Sequence, residues 1–197
     1  MAGMVIGILG SPLPEGNTAK LLELALKGAA DAGCTTETIV VNNLDYQPCM
    51  EMFFCRDHET CIMDDDMQQA YGKIRNADSI IVATPIMTMG IPGKLKGFID
   101  RCQVFFMAKY LRKDPLVSPE KRKVRQCLFI GISGMKIPEV FVGAKLTLNA
   151  WSDIIDCPLR DELLINDMDS ILDITTRKDL LDAAYAKGHA LGMRLNP

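Results

Sequence analysis

Apolar positions along the chain fall into short runs set between longer amphipathic stretches. Their spacing predicts strands over 4–9, 36–41, 78–84, 126–132 and 159–165 and helices over 18–31, 65–76, 93–110, 139–155 and 176–193. The strand runs are apolar on both faces: Val5-Ile6-Gly7-Ile8-Leu9 and Ile80-Ile81-Val82-Ala83 lack the alternation of a sheet with one wet side. Such strands belong to a parallel sheet covered by helices on each face, a three-layer α/β sandwich. Right-handed crossovers between five βα units leave few strand orders open, and the commonest, 2-1-3-4-5, is the expected one. No repeat or low-complexity segment interrupts the pattern. The connection from Asn42 to Asp64 is long for a βα loop, and long loops inside compact domains are usually functional.

Length adds one constraint. A chain of 197 residues suits a single domain over 1–197, large enough to bury a core without staples. With 22 Lys and Arg against 25 Asp and Glu, it has no basic field for a polyanion, so nucleic acid is not an expected partner. Apolar stretches such as Ile80–Ala83 and Cys127–Ile130 are far too short to cross a bilayer, and no secretion signal precedes the run Met4–Leu9. A cytoplasmic location is expected. There the seven cysteines should be reduced thiols or metal ligands; Cys34, Cys102, Cys127 and Cys157 sit at packing positions, while three others cluster between 49 and 61.

After the first strand, Gly10-Ser11-Pro12-Leu13-Pro14-Glu15-Gly16-Asn17-Thr18 runs directly into a helix. A strand, a loop of small hydroxyl and amide residues and a helix amino terminus together make an anion site, because free backbone N–H groups point outward and the helix dipole favours negative charge. No Lys-Ser/Thr pair follows Gly16, so the loop is not a Walker A motif, and a third glycine is missing for the dinucleotide fingerprint. On the residues alone, a phosphate site and a simple helix cap by Asn17 or Thr18 both stay open.

The segment GSPLPEGNTAKLL resembles the phosphate loop of the NADPH-dependent FMN reductase and iron–sulfur flavoprotein family, multimeric relatives of flavodoxin. Three further segments agree in order and spacing: the C-x5-C-x5-C loop at 49–61, Asp65-Asp66-Met67 opening a helix, and ADSIIVATPIMTMGIPGKLKGFIDR at 77–101. The resemblance covers roughly the first half of the chain. It implies a flavodoxin-like fold and an FMN-dependent oxidoreductase that takes electrons from NAD(P)H and passes them to a small-molecule or protein acceptor. It also implies that Ser11, Gly16, Asn17 and Thr18 hold the FMN phosphate, with the backbone near Leu13 facing it, and that Pro85, Ile86, Met87, Thr88, Met89 and Gly90 lie along the flavin ring. Ser133 and Gly134, after the fourth strand, would close the third side.

The chain departs from that family in three places. Relatives carry a basic residue about where Leu13 stands, whereas Glu15 is nearby here, and an aromatic residue where Met87 stands. Iron–sulfur flavoproteins carry four cysteines in the second loop because four thiolates complete a cubane cluster; here Cys49, Cys55 and Cys61 remain and Met52 takes the second position. His58 lies between Cys55 and Cys61, so three thiolates and an imidazole for zinc or an unusual cluster, or a degenerate loop of reduced thiols, are the alternatives. No nucleotide motif for NAD(P)H is visible, and since the cofactor would carry the chemistry no protein acid or base is required and no catalytic residue is named. An electron carrier reduced by a partner protein, and a flavin-free binding module, remain the rival readings. A homodimer or homotetramer is expected, with Val104, Phe105, Phe106 and Tyr110 at its interface unless they form an intrachain core.

Overall fold

In a computed structural model describing residues 2–196, five strands, β1 (Met4–Leu9), β2 (Thr35–Val40), β3 (Ser79–Pro85), β4 (Gln126–Ile132) and β5 (Leu159–Ile165), form one parallel sheet in the order 2-1-3-4-5. The central strands are the doubly apolar ones: every residue of β4 and all of β3 but Pro85 are buried. The two edges read differently. β2 buries only Ile39, and β5 exposes Arg160 and Asp161, so the open edges carry polar side chains that discourage further strand pairing.

The helices are α1 (Asn17–Asp31), α2 (Met67–Asn76), α3 (Gly93–Arg101), α4 (Gln103–Phe106), α5 (Pro119–Val124), α6 (Val142–Ile154), α7 (Met168–Ile171) and α8 (Lys178–Leu195). On one face of the sheet α1 and α8 close a core around Val5, Leu9, Ile81, Ala83, Leu128 and Ile130. On the other face α2, α3 and α6 enclose Ile6, Ile8, Ile80, Val82 and Phe129. The α1–α8 contact is made backbone to backbone. A side chain at Gly188 would place its Cβ 1.8 Å from the Ala25 carbonyl oxygen, and one at Gly28 would lie 2.2 Å from the Tyr185 carbonyl oxygen. Glycine at both places lets the helices approach closely.

The helix expected over 93–110 breaks at Cys102, whose N–H bonds to the Ile99 carbonyl at 3.0 Å. It resumes as α4 and then as a π-helical segment, Met107–Arg112. The break turns Val104 and Phe105 inward, where Phe105 meets Tyr71 edge-on with ring centroids 5.7 Å apart. These two residues belong to the intrachain core, which corrects their expected place at an interface; Phe106 is partly buried against the same core and Tyr110 is exposed, their rings 4.8 Å apart. Two short helices, α5 and α7, were not signalled by the periodicity. No helix among the described residues is long and apolar enough to cross a membrane.

Candidate functional site

Three loops leave the carboxyl ends of adjacent strands, and backbone hydrogen bonds hold their first residues side by side. Gly10 N–H reaches the Ala83 carbonyl at 2.8 Å, Ile86 N–H the Ile132 carbonyl at 2.7 Å, and Ser133 N–H the Ile165 carbonyl at 2.8 Å. The loops after β1, β3 and β4 therefore open together at the point where the strand order reverses, which is where open parallel sheets bind ligands.

In the first loop the buried Ser11 hydroxyl accepts from Leu13 N–H at 3.1 Å, leaving its own proton to donate. Gly16 N–H turns back to the Leu13 carbonyl at 3.3 Å, and α1 starts at Asn17 with no side-chain cap and no acidic residue in its first turn. The first-turn N–H groups are thus free of side-chain partners and Thr18 is buried beneath them, a donor set that fits a phosphate. Leu13 and Glu15 point to solvent. Asn17 does something else: its side-chain amide donates to the Leu172 carbonyl at 2.7 Å and accepts from Ile174 N–H at 3.1 Å. It clamps the segment after β5 onto the loop. Lys20 extends that clamp to Asp173 at 3.1 Å, and the Thr175 backbone N–H and hydroxyl, followed by Lys20, hold the Asp173 carboxyl down at about 2. Asn17→Ala removes two hydrogen bonds and should cost about 1–2 kcal/mol. Urea unfolding measures that loss, and faster amide exchange at Ile174 locates it.

The second loop folds into a tight turn in which Met87 and Gly90 exchange both backbone hydrogen bonds, at 2.8 and 3.1 Å. Thr88 and Met89 take positive φ, 50° and 62°, the pattern of a type I′ turn built without glycine or asparagine at its centre. The turn leans on the start of α6, where a Cβ at Gly143 would fall 2.5 Å from the Met89 carbonyl oxygen. Pro85 and Ile86 are partly buried at its base, and Met87, Thr88 and Met89 are exposed. In the third loop the buried Ser133 donates to the Met135 carbonyl at 3.3 Å, and Gly134 accepts from Asp169 N–H at 3.3 Å.

Cys49, Cys55 and Cys61 line one cavity of about 540 Å³, lying between their loop and the groove of α3 and α6. Left-handed backbone at Glu51 and Phe53, φ 51° and 56°, folds the loop tightly between the first two cysteines. Burial, then the neighbouring Cys61 and Cys49 thiols, push the Cys55 thiol up. Arg112, at the end of the π-helical segment, donates to the Cys55 carbonyl. His58 is turned away from the cavity: its ring stacks on Phe54 at 3.7 Å with Nδ1 3.0 Å from the Phe54 carbonyl, so an imidazole ligand beside the thiolates is not formed. Among the described residues no three His, Cys, Asp or Glu side chains converge on a single ion. Three cysteines on one cavity are a soft donor set by chemistry, of the kind that zinc and iron–sulfur groups both use. Cys102, Cys127 and Cys157 are fully enclosed, and burial raises all three thiols, that of Cys157 to about 11.

Sequence reasoning missed Asn42, which reaches the Pro12 carbonyl at 3.5 Å, as well as Leu172, Ile174 and Gly143, which shape the loops from distant parts of the chain. Only Asn42, directly after the second strand, carried a local signal, as a polar residue at a strand end. Trp151 proves to line the cysteine cavity.

A sequence model of the NADPH-dependent FMN reductase family matches residues 4–128. An iron–sulfur flavoprotein of Methanosarcina thermophila is 40% identical over 97 residues, 49% of this chain and 51% of that one. Another, of Methanocaldococcus jannaschii, is 36% identical over 108 residues, 55% of this chain and 56% of that one. The chain thus matches about half the length of these curated relatives. Among solved structures, a NAD(P)H:quinone oxidoreductase from Methanothermobacter marburgensis superposes with a TM-score of 0.66 at 20% identity, covering 96% of this chain and 98% of that one. A flavone reductase gives 0.70 at 19% identity, covering 98% and 63%. At such identities the structures speak for the fold.

Proposed function

The chain belongs to the NADPH-dependent FMN reductase family, and we propose that it is an FMN-dependent oxidoreductase that draws electrons from NAD(P)H. One observation carries the reading: three strand-end loops meet at the sheet's switch point, and the first feeds an uncapped helix amino terminus free of acidic residues. In this reading the α1 first-turn N–H groups and the Ser11 and Thr18 hydroxyls hold the FMN phosphate, with Gly16 giving the loop its return and the Leu13 backbone facing the anion. Asn17 serves as a positioning residue, since both ends of its amide are engaged by the 172–174 segment. The Pro85–Gly90 loop forms one wall for the flavin ring, with Ile86 at its base and the Met87 and Met89 thioethers at its rim, and Ser133 and Gly134 close the other side.

Bound there, FMN would supply hydride and single-electron chemistry. The protein's part is to fix the ring and restrict water, and no side-chain acid or base is needed for that. The acceptor is a small molecule or a protein. Phe106 and Tyr110 are what remains of the expected interface of a homodimer or homotetramer.

Visible absorption of freshly purified protein, recorded anaerobically before and after NADPH, tests the reading. Flavin bands that bleach are the expected result; a protein that is colourless and takes up no added FMN defeats it. Bands that bleach with dithionite but not with NADPH would favour an electron carrier served by a partner protein, a reading favoured by the three thiols on one cavity.

A further inference from the structure

The amino-terminal end of the sheet carries a second cleft, of about 820 Å³, between α5, the starts of β4 and β5 and the end of α8. Its charged lining is all of one sign. Arg122, Lys123, Arg125, Arg160 and Arg194 border it and no Asp or Glu does, although the chain as a whole carries a net charge of -3. These cations are poorly compensated. Among the described residues only Arg122 of the five has an ion pair, 3.0 Å from the Asp156 carboxylate, and that carboxylate is shared with Lys109 at 3.2 Å. Arg194 donates to the neutral Gln126 amide oxygen at 2.9 Å. Arg125 is 2% exposed; its Nη2 reaches the Ile74 carbonyl at 2.6 Å, while its Nε and Nη1 are closed off from water without a partner among the described residues. Burial pulls its pKa down, against the opposing pull of Cys157, Asp156 and Asp78. A buried cation with two unmet donors is costly, and an anion in the cleft would supply the counter-charge that the fold withholds.

We propose that this cleft binds an organic phosphate of nucleotide size that carries at least two phosphate groups. Its volume lies in the range of small-molecule sites. Arg160 and Arg194, both exposed, offer planar forks that match phosphate oxygens, and Lys123 adds a point charge. With Lys123, Arg125, Arg160 and Arg194 all outside any ion pair among the described residues, a di- or triphosphate matches the cleft better than a single phosphate. Pro119, Val124 and Pro158 add apolar surface on which a flat ring can rest. The site is separate from the flavin loops. Those leave the carboxyl ends of the strands, whereas Gln126 and Pro158 stand at the amino ends of β4 and β5, and a strand of seven residues spans about 20 Å. The inference is therefore independent of the flavin reading.

Equilibrium dialysis of the full chain against ATP, AMP and pyrophosphate, with and without excess FMN and at two salt concentrations, tests it. ATP should bind whether or not FMN is present, AMP about tenfold or more weakly, and added salt should weaken both. The double variant Arg160→Gln/Arg194→Gln should bind ATP about a hundredfold more weakly, roughly tenfold for each charge-assisted contact removed, with its FMN absorbance unchanged. Equal ATP affinity in wild type and double variant would place the nucleotide elsewhere and overturn the site, as would no ATP uptake by wild type at millimolar concentration. ATP binding that FMN abolishes would place the nucleotide on the α1 loop, which also overturns it. Pyrophosphate bound as tightly as ATP would overturn the organic ligand, and AMP bound as tightly as ATP would overturn the need for a second phosphate. Lys123→Gln/Arg160→Gln, at two exposed positions, replaces the double variant where loss of the Arg194 contact to Gln126 prevents folding.

Discussion

Asp65→Ala is expected to cost about 3–5 kcal/mol of folding stability, the loss typical of breaking a buried ion pair by removing one partner. Its carboxylate meets the Arg101 guanidinium in a two-pronged contact, 2.6 Å from Nη1 and 3.0 Å from Nη2. The Arg101 side chain is 1% exposed and that of Asp65 15%. Burial opposes charge on Arg101, but the Asp65 hydrogen bonds and the neighbouring Tyr71 outweigh it, so the guanidinium stays charged and would be stranded by the substitution. Asp65 also accepts from Met67 N–H at 3.1 Å, at the start of α2, and Arg101 holds the Gln47 carbonyl at 2.7 Å. The damage should therefore reach the cysteine loop. Trypsin should cut first at the exposed Arg56, and the urea midpoint should fall at an unchanged m-value. The double variant Asp65→Ala/Arg101→Met should recover much of the loss, because no unpaired charge remains. A double variant as unstable as the single one would show that cavity formation, not the stranded charge, dominates.

Gly188→Ala should be nearly as harmful, at about 3 kcal/mol, the upper end of what one added methyl costs in a packed interior. Its Cβ would sit 1.8 Å from the Ala25 carbonyl oxygen, and that atom belongs to a helix backbone that cannot rotate away. The intrinsic gain from replacing a helix glycine, about 0.5–1 kcal/mol, is too small to offset it. Gly72 gives the opposite sign. It lies in α2 with nothing within 4 Å of where a Cβ would stand, so Gly72→Ala should raise stability by that intrinsic amount. Thermal unfolding of the two variants side by side checks both. Equal and small shifts would mean that α1 and α8 slide apart without penalty.

The sheet was legible because its information is local. Runs such as Ile80–Ala83 are apolar on both faces only if both faces are covered, and right-handed crossovers then leave 2-1-3-4-5 as the natural order. The backbone course of residues 10–18 was legible for the same reason, since strand, small-residue loop and helix start are contiguous. What the chain brings together from a distance was not. Asn17 had the look of a cap or a phosphate ligand, but its amide is claimed by Leu172 and Ile174, more than 150 residues away in sequence. The break at Cys102 also escaped detection, because Val104 and Phe105 continue a helical pattern while packing inward in a different register. The spacing of the thiols was plain, but that they share a cavity floored by α3 and α6 was not, since that floor is made by two helices much further along the chain.

The Met87–Gly90 turn carries a consequence for how this fold tolerates change. Each non-glycine residue held in left-handed backbone costs about 1–2 kcal/mol relative to the glycine or asparagine such turns prefer. Thr88 and Met89 both bear that cost, at the loop we propose as a wall for the flavin ring. The same stretch is therefore where the chain is easiest to stabilise and least free to be stabilised: a glycine at 88 would relax the backbone and loosen the wall it shapes. On the proposed function, selection for a sturdier protein and selection for a well-held cofactor would pull on these two residues in opposite directions.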